Sequence, residues 1–148
     1  EKQLATNAQE ASEGPIANLI DGNTGSYFHT AWSGAVPASP HWFQIDVKKE
    51  ITYFKYESVA RNGNNIPDDV DIMGDGVNFE LIENLTKAKN GMLMSTTPYM
   101  SPIMGDSSKP YRYIRYSVNH TNTGSVFFSM AEFKLFEVDA SVVDPEAE

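Results

Sequence analysis

Apolar and polar residues alternate along most of the chain, and few stretches have a helical period. In His41–Val47 one face carries the apolar residues Phe43, Ile45 and Val47, and the other carries Trp42, Gln44 and Asp46. This period of two predicts a half-buried strand. Alternation, or enrichment in aromatic and β-branched residues, predicts further strands over Ile51–Ala60, Val70–Met73, Phe79–Ile82, Tyr111–Val118 and Phe127–Val138.

The segments between these strands are rich in turn-forming residues. Gly74-Asp75-Gly76 predicts a strand–turn–strand unit. A short helix is expected over Pro15–Ile20, because proline is tolerated in a first helical turn and Gly22 can end the helix. Strands at these spacings predict an all-β fold, an antiparallel β-sandwich. We expect one domain over residues 1–138, followed by an acidic tail or linker over residues 139–148.

Composition narrows the classes of partner. The chain has 148 residues, of which 41% are hydrophobic and 11% aromatic, enough for one packed core. Its net charge of −9 would repel phosphate backbones and anionic lipids, so we expect neither nucleic acid nor an anionic membrane as a partner. Cysteine is absent, which excludes disulfides and thiolate chemistry. No apolar run reaches transmembrane length, and a first residue of Glu1 suggests a trimmed or mature segment.

Several short motifs together resemble a known family. They are Ala17–Asn23, His29–Trp32, Pro40–Val47, Arg61–Asn64, Gly74–Phe79, Tyr113–Tyr116 and Met130–Phe133. Their order along the chain resembles that of F5/8 type C (discoidin) domains, and within them the family 32 carbohydrate-binding modules. The resemblance covers roughly residues 4–138. It implies a jelly-roll sandwich with a ligand site in the loops at one end, often beside a structural calcium ion.

The loop that starts at Asp21 is the candidate calcium site. Calcium prefers about six to eight oxygen ligands, several of them carbonyls. Asp21 offers a carboxylate, Gly22 allows a sharp turn, and carbonyls of Asn18, Asn23 and Ser26 can converge. The resemblance implies that the acidic residue of a late Ala-Glu pair, here Glu132, completes the shell. The alternative is that Asp21 only caps a turn and that Glu132 is a solvated strand residue.

The resemblance also implies a carbohydrate-binding site. In galactose-type members a histidine contacts an axial hydroxyl, and an arginine at the end of a following strand contacts further hydroxyls. The matching residues are His29, with Trp32 three positions later, and Arg61. An asparagine completes the site in these members. Asn62, Asn64 and Asn65 are candidates, with the last two preferred, and the stacking aromatic is Phe127 or Phe128.

Each of these residues also has a purely structural interpretation. His29 could be a core histidine that donates to a carbonyl, and Trp32 could be buried, as large aromatics usually are. Arg61 could instead form a surface ion pair with an aspartate of the cluster Asp68, Asp69 and Asp71. Phe127 and Phe128 are adjacent, so in a strand one of them faces the core.

Two other functional classes compete with glycan binding. Glycoside hydrolysis requires two carboxylates about 5–10 Å apart around the bond, and no such pairing is recognisable, so we expect no catalytic residues. Adhesion to a protein or cell surface, as in other discoidin domains, remains the alternative function. We therefore expect a non-catalytic module of a larger bacterial glycan-processing protein that is secreted, exposed on the cell surface or periplasmic, and that binds a terminal galactose-like sugar and structural calcium.

Overall fold

The computed structural model describes residues 3–75, 78–91 and 96–143, which form mainly antiparallel strands. The strands are β1 (Gln3–Thr6), β2 (Phe28–His29), β3 (His41–Ile51), β4 (Tyr53–Val59), β5 (Pro67–Gly74), β6 (Glu80–Thr86), β7 (Tyr99–Met100), β8 (Met104–Gly105), β9 (Tyr111–Thr121), β10 (Ser129–Met130) and β11 (Glu132–Glu137). The helical elements are a 3₁₀ helix over Ile16–Ile20 and two single turns, α1 (Lys87–Asn90) and α2 (Ala140–Val143).

The strands form two main sheets and a small pair. The larger sheet has the order β1-β3-β9-β5-β6, and the second has the order β11-β4-β7, with β8 also pairing with β4. Strands β2 and β10 form a separate antiparallel pair. The predicted all-β sandwich is therefore confirmed.

Aromatic side chains from both main sheets form the centre of the core. Phe43 on β3 stacks on Tyr116 of β9, with ring centroids 5.0 Å apart. From the opposite sheet, Phe133 on β11 meets Phe43 edge-on at 4.9 Å and stacks on Tyr56 of β4 at 5.0 Å. Aromatic pairs of this kind contribute about 0.5–1.5 kcal/mol each beyond the burial of their surface. The two sheets are thus held face to face by interlocking rings.

Several element boundaries differ from those that the pattern predicts. The helix near Pro15 is a 3₁₀ helix that starts one residue later. The strand predicted over Phe127–Val138 is wrong as one element, because it is divided into β10 and β11. β10 pairs with β2, whereas β11 pairs with β4. At Ala131, between the two strands, the backbone N–H already donates to the Val59 carbonyl of β4 at 2.8 Å.

The structure describes only part of the predicted hairpin turn and of the predicted tail. Gly74 pairs with Glu80 in an antiparallel hairpin, but Gly76 lies outside the described residues. In the tail, α2 (Ala140–Val143) is described, whereas residues 144–148 lie outside the described part. Among the helices of the described residues, none has the length and apolar character needed to cross a membrane.

Candidate functional site

His29 lies on the short strand β2, which pairs with β10. Its ring is largely buried, with 4% of the residue exposed, and Nδ1 lies 2.7 Å from the Thr30 carbonyl oxygen. Because a carbonyl can only accept, Nδ1 carries the proton, which leaves Nε2 of the neutral ring as an acceptor. No described residue forms a hydrogen bond with Nε2. His29 is therefore both a buried histidine bonded to a carbonyl and a histidine with a free acceptor.

Three aromatic rings surround this imidazole. The ring centroid of Phe127 lies 5.9 Å from that of His29, and those of Tyr27 and Trp32 lie 6.4 Å away. The close approach of the preceding loop depends on Gly14, whose φ is +67° and whose carbonyl accepts from the His29 N–H at 3.0 Å. A Cβ at this position would lie 2.7 Å from the His29 nitrogen, so only glycine fits.

Arg61 lies at the exit of β4 and extends toward the same aromatic group. Its guanidinium carbon is 3.7 Å from the centre of the Tyr27 ring, a cation–π contact. In the described part of the chain no ion pair joins Arg61 to Asp68, Asp69 or Asp71, so the surface ion-pair interpretation is wrong. Asp68 instead lies 2.7 Å from His120.

Glu13 connects two of these aromatics and was not found from the sequence. The Tyr27 hydroxyl donates to one of its carboxylate oxygens, and the Trp32 indole N–H donates to the other at 2.8 Å. The hydrogen bond from Tyr27 is the main reason that the pKa of Glu13 is lowered. Nothing in the local sequence distinguishes Glu13 from its acidic neighbours, because its partners lie 14 and 19 residues away.

Glu10 holds the loop that carries Trp32. One carboxylate oxygen accepts from the backbone N–H groups of Trp32 (3.0 Å) and Ser33 (3.2 Å), and the other accepts from the Ser12 and Ser33 hydroxyls. These hydrogen bonds, with Ser12 first, lower the pKa of Glu10 to about 2. Trp32 is 44% exposed, so the core interpretation of this residue is wrong. Its indole forms an outer wall beside His29.

The adjacent residues Phe127 and Phe128 have different surroundings, one beside His29 and the other in the core. Phe128 is fully buried and packs edge-on against Phe28 at 5.8 Å, whereas Phe127 is partly buried beside His29. A main-chain hydrogen bond between the residue after β2 and the residue before β10 holds this arrangement: the Thr30 N–H donates to the Phe128 carbonyl at 3.0 Å. Of the two candidate stacking aromatics, the structure brings Phe127 to the site.

Asn65 positions the Phe127 loop from the neighbouring loop. It has a φ of +57°, and its Oδ1 accepts from the Thr123 hydroxyl at 2.8 Å and from the Ser125 hydroxyl at 2.9 Å. Asn64, by contrast, is exposed, and its N–H donates to Asn62 Oδ1 at 2.9 Å. The amide oxygen of Asn65 is thus used for hydrogen bonds within the protein, whereas the side chain of Asn64 is exposed at the surface.

The predicted calcium loop is closed by its own hydrogen bonds. Asp21 Oδ1 accepts from the Asn23 N–H at 2.9 Å, and the Ser26 hydroxyl donates to the other carboxylate oxygen of Asp21. The Ser26 N–H donates to the Asn23 carbonyl at 3.2 Å. Asn18 donates its side-chain amide to the Tyr27 carbonyl at 2.9 Å, which links this loop to the aromatic group around His29.

Glu132 faces this loop from the start of β11. Only 6% of the residue is exposed, so the expectation of a solvated strand residue is wrong. One carboxylate oxygen accepts from the Gly22 N–H at 3.2 Å, but the other, Oε1, is buried with no hydrogen-bond partner. Burial raises the pKa of Glu132, and the nearby Asp21 carboxylate adds to this effect. Buried polar atoms are normally paired, so Oε1 lies where a cation would stabilise it.

The donor set limits which cation could bind. Within residues 3–75, 78–91 and 96–143, no three His, Cys, Asp or Glu side chains are grouped closely enough to hold a metal ion. Two carboxylates, of Asp21 and Glu132, face one another, and any further ligands would be carbonyl or hydroxyl oxygens. A site made only of oxygen suits a hard cation such as calcium and does not suit zinc. The residues present therefore fit calcium.

The fold has several relatives among solved structures. The C-terminal domain of a chitobiase from Bacteroides fragilis superposes with a TM-score of 0.73 at 20% identity, over 93% of each chain. CpGH89CBM32-5 from Clostridium perfringens, in complex with GalNAc-β-1,3-galactose, gives 0.73 at 18% identity over 91% of this chain and 94% of its own. The family 32 module of C. perfringens NanJ, in complex with galactose, gives 0.69 at 18% identity over 92% and 93%.

Sequence comparison gives the family directly. No curated protein matches the chain. The model of the F5/8 type C domain, however, matches residues 3–133, which is nearly the whole of the described sandwich. The chain therefore belongs to the F5/8 type C domain family, and its structural neighbours include family 32 carbohydrate-binding modules.

Proposed function

We propose that this domain is a non-catalytic module that binds a terminal galactose-like sugar at the aromatic group around His29. The observation that carries the proposal is a buried imidazole whose Nε2 lacks a partner among the described residues, enclosed by Tyr27, Trp32 and Phe127. Solved relatives of the same fold bind galactose and GalNAc-β-1,3-galactose, which supports this choice of ligand class.

The chemistry of a pyranose fits the groups present. An axial hydroxyl would donate to His29 Nε2, and the guanidinium N–H groups of Arg61 would donate to ring hydroxyls. Its apolar C–H face would lie against an aromatic ring, for which Phe127 and Trp32 are the candidates. Asn64 is exposed near Arg61 and can supply a further amide, whereas Asn65 acts mainly by positioning the Phe127 loop. We expect weak affinity, because one sugar ring makes few contacts to offset the entropy lost on binding.

We also propose that calcium binds between Asp21 and Glu132 as a structural ion. The buried, unpartnered Oε1 of Glu132 supports this proposal, together with the facing carboxylate of Asp21. Carbonyl oxygens of Asn18, Asn23 and Ser26 would complete the ligand set. When bound, the ion would neutralise the two carboxylates and hold the Asp21–Ser26 loop, without taking part in any chemical step.

The wider setting follows from the same proposal. A binding module with no catalytic apparatus acts by keeping another domain near its substrate, so we place the chain within a larger bacterial glycan-processing protein, secreted or on the cell surface. Adhesion to a protein without sugar binding is the competing function. It is favoured by the exposed apolar side chains Trp32 and Val126.

A glycan array tests the proposal. We expect the domain to bind glycans that end in galactose or N-acetylgalactosamine, and not the matched glycans that end in glucose, whose C4 hydroxyl is equatorial. Anionic liposomes should not retain the domain, because its net charge is −9. Absence of binding to every glycan would reject the proposal in favour of adhesion, and hydrolysis of any bound glycan would reject a non-catalytic role.

Glu13 provides a more specific test of the site. We expect Glu13→Gln to weaken sugar binding by roughly fivefold, because the amide has one acceptor oxygen where the carboxylate has two. It therefore cannot accept from both the Tyr27 hydroxyl and the Trp32 N–H. Isothermal titration with galactose would measure the change. Glu80→Gln is the matched control, because Glu80 accepts from the Tyr111 hydroxyl at 2.7 Å on the hairpin at the far end of β9. Equal affinity of both variants would contradict this role for Glu13.

A further inference from the structure

Two Asn-Gly pairs occur in the chain, and they lie in different surroundings. Asn62-Gly63 is in the loop that follows β4, directly after Arg61, and Asn90-Gly91 is at the end of α1. A glycine after asparagine lets the backbone nitrogen approach the side-chain amide carbon, because no Cβ is in the way. The same dipeptide in two environments allows the effect of structure to be separated from that of sequence.

The surroundings of Asn62 favour this approach. The side chain is exposed, and its Oδ1 accepts a hydrogen bond from the Asn64 N–H at 2.9 Å. That bond polarises the amide carbonyl and holds the side chain folded back over the loop. The Gly63 N–H donates to no described residue, and no atom beyond Gly63 and its two chain neighbours lies within 4 Å of the place where a Gly63 Cβ would be. The nucleophile is therefore free and the space around it is open.

The surroundings of Asn90 oppose the same approach. The Gly91 N–H donates to the Lys87 carbonyl at 3.0 Å, as part of the left-handed cap of α1. Asn90 Oδ1 accepts from the Thr86 N–H at 3.0 Å and is directed back to the start of the helix. Here the nucleophile is already engaged, and the helix end would have to open first.

We propose that Asn62 is a site of spontaneous deamidation in the folded protein. The Gly63 nitrogen loses its proton to solvent base and attacks Asn62 Cγ, a C–N bond forms, and the amide nitrogen leaves with a proton as ammonia. Water then opens the resulting succinimide at one of its two carbonyls. The products are aspartate, or isoaspartate in which the main chain runs through the side-chain carbon. No oxidant, reductant or cofactor takes part.

The modification places a carboxylate next to Arg61. It also disturbs the loop, because the Gly63 carbonyl accepts from Asn122 Nδ2 at 2.9 Å and isoaspartate lengthens the main chain before that carbonyl. Asn122 further joins the two loops, since its N–H donates to the Ile66 carbonyl at 2.8 Å. If the proposed sugar site is correct, deamidation therefore weakens sugar binding; this second step rests on the proposed function.

Peptide mapping by mass spectrometry tests the modification itself. The folded protein is incubated at mildly alkaline pH, and a sample in denaturant serves as the control. In the folded sample we expect Asn62 to be converted at least about tenfold faster than Asn90, the factor expected when a hydrogen-bonded helix end must open first. In denaturant the two sites should react at similar rates. Equal rates in the folded sample, or faster reaction at Asn90, would overturn the proposal.

Binding measurements test the consequence separately. Asn62→Asp reproduces one product, and Asn90→Asp is the matched control with the same change of charge. We expect a loss of galactose affinity of about fivefold or more for the first and no change for the second, because the new carboxylate competes for the Arg61 guanidinium. Unchanged affinity of Asn62→Asp would overturn the effect on binding. If the wild-type protein binds no glycan, the proposed function fails, while the mapping result still decides the modification.

Discussion

Replacing His29 with alanine is expected to reduce galactose binding at least about tenfold, which would be a loss to background on a glycan array. Nε2 is the acceptor that His29 offers to a sugar hydroxyl, and a polar group left without its partner on binding costs about 1–3 kcal/mol. The side chain also separates the rings of Tyr27, Trp32 and Phe127, so its removal takes away the surface that aligns them. Isothermal titration with galactose, beside the array, would measure the loss.

A control is needed because His29 is buried and its Nδ1 hydrogen bond also stabilises the fold. His120→Ala serves this purpose, since His120 is an exposed histidine on β9 that interacts with Asp68. It should bind as wild type does. Thermal melting of both variants would show that each is folded at the assay temperature. A folded His29→Ala variant that binds every glycan normally would show that the site lies elsewhere in the module.

The strands could be predicted because the alternation of apolar and polar residues shows, within a few positions, which side chains face the core. Phe43 and Ile45 on β3 are buried on either side of the half-buried Gln44, as the period of two requires, and the alternation ends at Asp46, which is also buried. The division between β10 and β11 could not be predicted, because it arises from the transfer of the chain at Ala131 from one partner strand to another. Nothing in the alternation around Ala131 marks that change of partner, which depends on residues far away in sequence.

The residues of the proposed site could be named from the sequence only where family resemblance supplied them. His29, Trp32, Arg61 and Phe127 come together as expected, but Glu13 does not stand out from its neighbours. Its role depends on long-range contacts with Tyr27 and Trp32. Glu10 is similar, because a carboxylate that accepts five hydrogen bonds looks like any other glutamate in the sequence. Positioning residues of this kind can be identified only from the folded structure.

The proposed ion site and sugar site are joined through the residues between them. Ser26 donates to Asp21 and immediately precedes Tyr27, over whose ring Arg61 lies. Asn18 donates to the Tyr27 carbonyl from the other side. Order in the Asp21–Ser26 loop therefore fixes the main chain at Tyr27 and, with it, the surface on which Arg61 rests. Loss of the ion should accordingly reduce sugar affinity as well as stability.

Removal of the proposed calcium ion is the second change for which we expect a large effect. An ion that binds only the folded state stabilises it by about 2.7 kcal/mol at 100 times its dissociation constant, which corresponds to a fall in Tm of about 5–10 °C on chelation for a domain of this size. The physical reason is that the buried Oε1 of Glu132 loses its counter-charge while Asp21 remains beside it. Differential scanning calorimetry in excess EDTA, then with calcium restored, would measure the shift.

The Glu132→Gln variant tests whether the change in Tm on chelation comes from an ion at Glu132. The glutamine has the same shape but one charge fewer, so the variant should show no response to calcium. In EDTA it should melt at or above the temperature of the wild type, because it no longer buries an uncompensated carboxylate. Glu137→Gln is the control on the same strand, where Glu137 is exposed and pairs with Lys49 at 2.6 Å; it should retain the full response. A wild-type Tm that is the same in EDTA and in calcium would reject the ion site.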